Sequence, residues 1–173
     1  MSEEQTRRGG GGPALERPHM PATYGVGAGA PAQPVLWDAV RQRLEAARNY
    51  WVVTVRADGR PHAMPVWGVW HGGAVCFSTD PASRKGRNLA ANPEVVVHLE
   101  SGDDVVVVEG TAAPLTDPDA LTRFADAYEA KYRFRPDVGD PACGVYRVRP
   151  RVVFAWVEQD FPTTATRWSF GDG

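Results

Sequence analysis

The residues best placed to do chemistry in this chain gather in Ser78–Pro93, STDPASRKGRNLAANP. Ser83 is a good helix N-cap, which puts Arg84 and Lys85 in the first turn of a short helix and Arg87 one turn along. Cations there oppose the positive end of the helix dipole, at roughly 0.3–1 kcal/mol each. An anion removes the conflict: free backbone amides, a hydroxyl and neighbouring cations converging on one point make a phosphate site. An exposed basic turn on a surface helix has the same letters, and the motif alone does not separate the two. Asn92-Pro93 stops the helix after little more than two turns. Beyond Leu89 it has little apolar surface to bury, so packing is a poor reason for it to exist.

The second candidate surface is HAMPVWGVW. Pro65 removes a ladder donor, which places its strand at a sheet edge or at a bulge. Neighbouring backbone groups are then free to bond something planar, with Met64, Trp67 and Trp70 as flat or polarizable contacts. Taken alone, the same residues are better read as filling a barrel. Other candidates lack partners. His62, His71 and His98 are scattered, and only His62 falls near the basic helix start. No Cys/His spacing matches a zinc motif, and no nucleophile stands with its base. The early GGGG is not followed by Lys-Ser/Thr, so it is no phosphate loop. An anion site and aromatic surface without acid–base machinery point to reactivity carried by a bound organic cofactor.

The elements that position these residues follow from periodicity. Residues 1–33, rich in Gly, Pro, Ala and charge, are expected to be a disordered arm, and 34–173 one domain. Leu36, Val40, Leu44 and Ala47 predict a helix of about fourteen residues from Pro34. Trp51, Val53 and Val55 alternate with Val52, Thr54 and Arg56 as a strand. Asp58-Gly59 turns it into a return strand over His62–Trp70, and HGG turns that into AVCFST. EVVVHLE, SGDD and VVVVEGTAAPL form another hairpin. Asp117-Pro118 opens a helix whose buried stripe is Leu121, Phe124, Ala125, Tyr128 and Tyr132. GVYRVRP and RVVFAWVEQD read as two strands joined at Pro150. About seven strands, mainly β with flanking helices, predict a small closed or nearly closed antiparallel barrel. The lack of strand–helix alternation argues against a Rossmann-type sheet.

Composition narrows the function classes. The 173 residues carry a net charge of -2, which argues against a general nucleic-acid binder. No run is long and apolar enough for a membrane helix, and the first residues lack a signal peptide's apolar stretch. Cys76 and Cys143 sit singly, which fits a reducing compartment, so a cytoplasmic location is expected. Lys85 and Lys131 are the only lysines and isoleucine is absent, the mark of GC-rich coding.

Three segments in order, ADGRPHAMPVWGVW, FSTDPASRKGRNLAANPEVVVHLESGDDVVVVEG and VYRVRPRVVFAW, with a terminal TRWSF, resemble the pyridoxamine 5'-phosphate oxidase-like split-barrel family. The likeness runs over about residues 35–170 and is nearest the flavin/deazaflavin oxidoreductases that use coenzyme F-420. The resemblance implies a homodimer of split barrels with cofactor sites at the subunit interface. It implies that Ser83, Arg84 and Lys85 bind the cofactor phosphate, with Asn88 one turn on along the same face. Pro65, Val66 and Trp67, with Met64 beside them, would line the flavin-like ring, and Ser78 and Thr79 lead into the phosphate site. Trp156 and the Arg167-Trp168 pair match C-terminal positions that close the site across the interface. One departure discriminates between cofactors: AMPVWGV is apolar where the oxidases carry a basic strand motif for FMN. The resemblance therefore implies F-420 ahead of FMN, with Arg56, Arg87 and the basic arm available to its anionic tail. The expected activity is hydride transfer from reduced F-420 to a small or medium unsaturated acceptor. The alternatives are an FMN oxidoreductase and a non-catalytic flavin, deazaflavin or haem carrier.

Overall fold

The computed structural model describes residues 13–26 and 29–171. Eight strands form one antiparallel sheet: β1 Ala14–Glu16, β2 Asn49–Val55, β3 Pro61–His71, β4 Ala74–Thr79, β5 Glu94–His98, β6 Asp104–Pro114, β7 Gly144–Val157 and β8 Thr166–Ser169. Their order is β1-β8-β7-β4-β3-β2-β5-β6, and a further pairing of β6 with β7 closes β2 to β7 into a six-stranded barrel. Closure leaves β8 and β1 as an extension. The first half of β7 pairs with β4 and its second half with β8, while β6 lies along its other side.

The alternation read from sequence sets the barrel interior. Tyr50, Val52 and Thr54 of β2 point inward, and Val75, Phe77, Val97, Val106, Val108, Val148 and Val153 meet them in the core. The first helix, α1 (Trp37–Ala46), contributes Val40 and Leu44. A second apolar layer lies outside the barrel, where Phe124 and Tyr128 of α3 (Pro118–Tyr132) cover Val69, Cys76 and Val145. The remaining helix, α2 (Arg84–Ala91), crosses between β4 and β5. No helix of the described residues is long and apolar enough to cross a membrane.

The structure differs from the sequence reading at four places. The expected two strands joined at Pro150 are one strand, because a bulge absorbs the proline. Glu109 pairs with Val152 and Gly110 with Pro150, so Arg151 is the extra residue and the missing amide falls where pairing is already broken. Gly110 permits the approach, since a Cβ there would lie 2.0 Å from the Arg149 carbonyl oxygen. The first helix has ten residues rather than about fourteen, and Leu36, its N-cap, is 63% exposed. TRWS is a strand, β8. Within the segment expected to be structureless, Ala14–Glu16 pairs with β8, and Leu15 packs against the core. The arm's RRGGGG lies outside the described residues.

Candidate functional site

The start of α2 is built by hydrogen bonds that fix its position. Ser83 Oγ accepts from the Gly86 amide at 3.0 Å and lies 3.2 Å from Thr79 Oγ1 at the end of β4. Gly86 lets this turn sit against the preceding one, because a Cβ would fall 2.4 Å from the Pro81 carbonyl oxygen and 2.6 Å from that of Asp80. One turn on, the buried Asn88 donates from Nδ2 to Thr54 Oγ1 at 2.9 Å. Thr54 in turn donates to the His62 carbonyl at 3.3 Å, so α2, β2 and β3 share one chain of bonds. Asn88 is therefore the tether of α2 to the barrel.

Charge at this point is unbalanced. Lys85 is only 7% exposed, with its ammonium 5.6 Å from the Phe77 ring centroid. Among the described residues it makes no hydrogen bond or ion pair, and burial pushes its pKa down to about 8. Arg84 and Arg87 stand exposed beside it. His62 is held below the usual imidazole range by burial and then by the charges of Arg56, Lys85 and Arg84. Among the described residues, the buried Nδ1 of His62 and the buried Nε of Arg56 have no partner. Unpaired buried nitrogens are costly, and a partly desolvated ammonium with no counter-charge among the described residues is open to an anion. The donor set of amides, a hydroxyl and cations fits a phosphate group.

Beside it runs an open strand edge. Arg56 N donates to Arg60 O at 2.9 Å, which sets the phase of the β2–β3 ladder. Even-numbered residues of β3 bond β2, and odd-numbered ones point the other way. Pro65 is odd, so its missing donor breaks no bond, and the expectation of an edge holds. Pairing with β4 begins only at Gly68, leaving Pro61–Trp67 unpaired on that side. Met64 is 50% and Trp67 40% exposed along this edge, with Val66 half-buried between them.

The last turn of α3 holds this edge from behind. Tyr132 stacks on Trp67 with ring centroids 4.7 Å apart and 4° between planes. Its hydroxyl accepts from Gly68 N at 2.9 Å and lies 2.7 Å from the Gly68 and Arg48 carbonyls. Lys131 donates to Gly68 O at 3.0 Å and to the Tyr50 hydroxyl at 3.2 Å, and burial lowers its pKa to about 8. Tyr128 lies beside the Ser78 hydroxyl, and burial pushes its phenol up to about 12.

The C-terminal candidates occupy different surroundings. Trp156 on β7 is half-buried against Phe161, 5.9 Å between centroids. Arg167 pairs with Glu16 of β1 at 2.5 Å and with the Ser169 hydroxyl. Trp168 is buried, donates from Nε1 to Val35 O at 3.2 Å and packs against Trp37. Among the described residues, none of the three has a hydrogen bond, ion pair or ring contact with α2 or with Met64–Trp67 of the same chain. Sequence reasoning missed Thr54, Tyr132 and Lys131 as site-building residues. The available signals were a hydroxyl in the inward series of β2 and the second of two lysines in an arginine-rich chain.

Comparison with known proteins agrees with this architecture. The sequence matches the family described as pyridoxamine 5'-phosphate oxidase over residues 36–157. No curated protein matches. A conserved hypothetical protein of Mycobacterium tuberculosis is 22% identical with a TM-score of 0.65, covering 73% of this chain and 87% of its own. An F420 reductase structure is 26% identical with a TM-score of 0.53, covering 65% and 94%. A heme binding protein from Mycobacterium smegmatis is 22% identical with a TM-score of 0.55, covering 68% and 52%.

Proposed function

The chain belongs to the pyridoxamine 5'-phosphate oxidase family, and from that premise we propose that it is an F-420-dependent oxidoreductase. It passes a hydride from the reduced deazaflavin to a small or medium unsaturated acceptor. The observation that carries the reading is Lys85, a largely buried side chain whose ammonium makes no hydrogen bond or ion pair among the described residues, at a capped helix N-terminus. In this reading Ser83, Arg84, Lys85 and the first amides of α2 hold the phosphate, with Thr79 and Ser78 below. Met64, Pro65, Val66 and Trp67 lie along the ring. His62, Arg56 and Arg87 stand where a longer anionic tail needs charge. The likeness to an F420 reductase and the apolar character of AMPVWGV support deazaflavin over FMN.

The cofactor supplies hydride chemistry when bound, and this chain's residues bind, orient and exclude water. Orientation alone is a sufficient contribution to a hydride step, because close approach in the right geometry lowers its barrier. A homodimer completes the site in this proposal, with Trp156 of a second copy facing the ring and its Arg167, which pairs with Glu16 within its own chain, beside it. Support comes from a row of half-buried residues on the outside of the barrel: Trp51 stacked on His98, with Val53, Val96, Val107 and Phe154 alongside in register and Glu109 opposite Val96. Such a patch on a closed barrel fits a subunit interface better than water. The test is oxidation of reduced F-420 by a panel of enones, quinones and tetrapyrroles. Turnover with at least one acceptor is expected. A colourless protein that takes up neither F-420 nor FMN contradicts the assignment.

A further inference from the structure

Where the first turns of α3 meet the sheet, the two layers part around a cavity of about 180 Å³. Its floor is apolar, made by the buried Phe124 and Cys76 with Leu115 and Ala120 beside them. The other lining residues are His71, Gly72, Arg123 and Arg147, so three basic side chains and no carboxylate line it. Arg147 is fixed there by donating from Nη2 to Gly72 O at 3.2 Å. Arg123 reaches only 3.8 Å from Asp117 Oδ2, an oxygen that already accepts the Ala120 amide at 2.8 Å. Two guanidinium groups therefore line one cavity with donors to spare beside an apolar floor.

We propose that this cavity binds a small organic monocarboxylate. Its apolar body lies between α3 and the sheet, and its carboxylate lies between Arg123 and Arg147. Two planar guanidinium groups suit a carboxylate's paired oxygens, which is how arginine recognises this group. The volume corresponds to about six waters, well below a drug-sized pocket, which limits the ligand to a short chain or a single ring. An inorganic anion satisfies the arginines but leaves Phe124 and Leu115 uncovered. Cys76 is held up to about 11 by burial, so its thiol stays protonated and the cavity binds rather than reacts. The inference uses residues distinct from those assigned to the cofactor and does not rest on that assignment.

The experiment is a titration of the full chain with benzoate, followed by amide NMR shifts. Saturable shifts at Gly72, Cys76, Ala120 and Phe124 are expected, with inorganic phosphate at least about tenfold weaker. Arg147→Met and the half-exposed Arg123→Met should each weaken benzoate by at least about tenfold, about 1.4 kcal/mol, within the range of one charge-assisted hydrogen bond. Arg123 contributes little to packing, so its variant keeps the test valid should Arg147→Met fold poorly. Non-saturating shifts, shifts confined to residues 83–88, equal binding of phosphate, or affinity untouched by Arg123→Met would each overturn the proposal.

Discussion

Lys85 is the residue on which the site turns, and its burial makes two opposite predictions. Its folded pKa of about 8 lies below the ordinary 10.5, so the unfolded chain holds the proton more tightly. Stability of the ligand-free protein should therefore rise as pH climbs from about 8 toward 10.5. In the proposed function phosphate binding needs the ammonium form, so cofactor affinity should fall over the same interval. Lys85→Met separates the two effects. At pH 7 we expect the ligand-free variant to be at least as stable as the parent, since a partly desolvated, unpaired charge is removed. Cofactor binding should fall by well over tenfold. Urea denaturation and cofactor titration on the same samples check both, and a variant less stable than the parent would show that Lys85 has a partner in the free protein. Asn88→Ala should act differently. It leaves Thr54 without its donor, costs about 1–3 kcal/mol in the ligand-free state and weakens binding only through a displaced helix.

At the scale of elements, α2 is a short helix held in place by its cap, its tether and one glycine. Gly86→Ala puts a methyl group into the Asp80–Pro81 backbone, so the first turn must shift. We expect a loss of about 1–3 kcal/mol in thermal or urea unfolding, together with weakened cofactor binding. An unchanged midpoint would mean that the turn yields freely. Tyr132→Phe removes the hydroxyl that serves Gly68 and Arg48 but keeps the ring on Trp67. Faster hydrogen exchange at the Gly68 amide is the expected sign that α3 holds the open edge of β3.

These elements also mark what sequence can and cannot convey. The hairpins at Asp58-Gly59 and His71–Gly73 were legible because turn chemistry and alternation are local. The cap at Ser83 and the stop at Asn92-Pro93 were legible for the same reason. β8 was not, because TRWS is too short to show a period, and its partners at β1 and β7 are 151 and about thirteen residues away in pairs such as Glu16–Arg167 and Phe154–Arg167. Pro150 reads locally as a break, and only the bulge on the neighbouring strand lets β7 run through it. Arg167 and Trp168 look available in the sequence, yet one is paired with Glu16 and the other is buried under α1. The lysine's missing partner is likewise invisible in one dimension, since it depends on what three other elements leave unsaid.

At the scale of the whole molecule, the barrel presents the open edge of β3, the cationic start of α2 and the outer face that carries Trp51, Val53 and Val96. A homodimer brings these together in the proposed function, and Val53→Asp tests it by placing a charge in that face. Sedimentation should show the parent as a dimer and the variant shifted toward monomer, with cofactor affinity falling in step. A monomeric parent that binds cofactor fully would remove the second subunit from the site. The most direct test of the central claim is a side-by-side titration with F-420 and FMN of the parent and the Arg84→Ala, Lys85→Ala double variant. The account predicts tighter binding of F-420 than FMN by the parent, and loss of both by at least about a hundredfold in the variant, two charged contacts at about 1.4–3 kcal/mol each. Unchanged affinity for both cofactors in the double variant would contradict it.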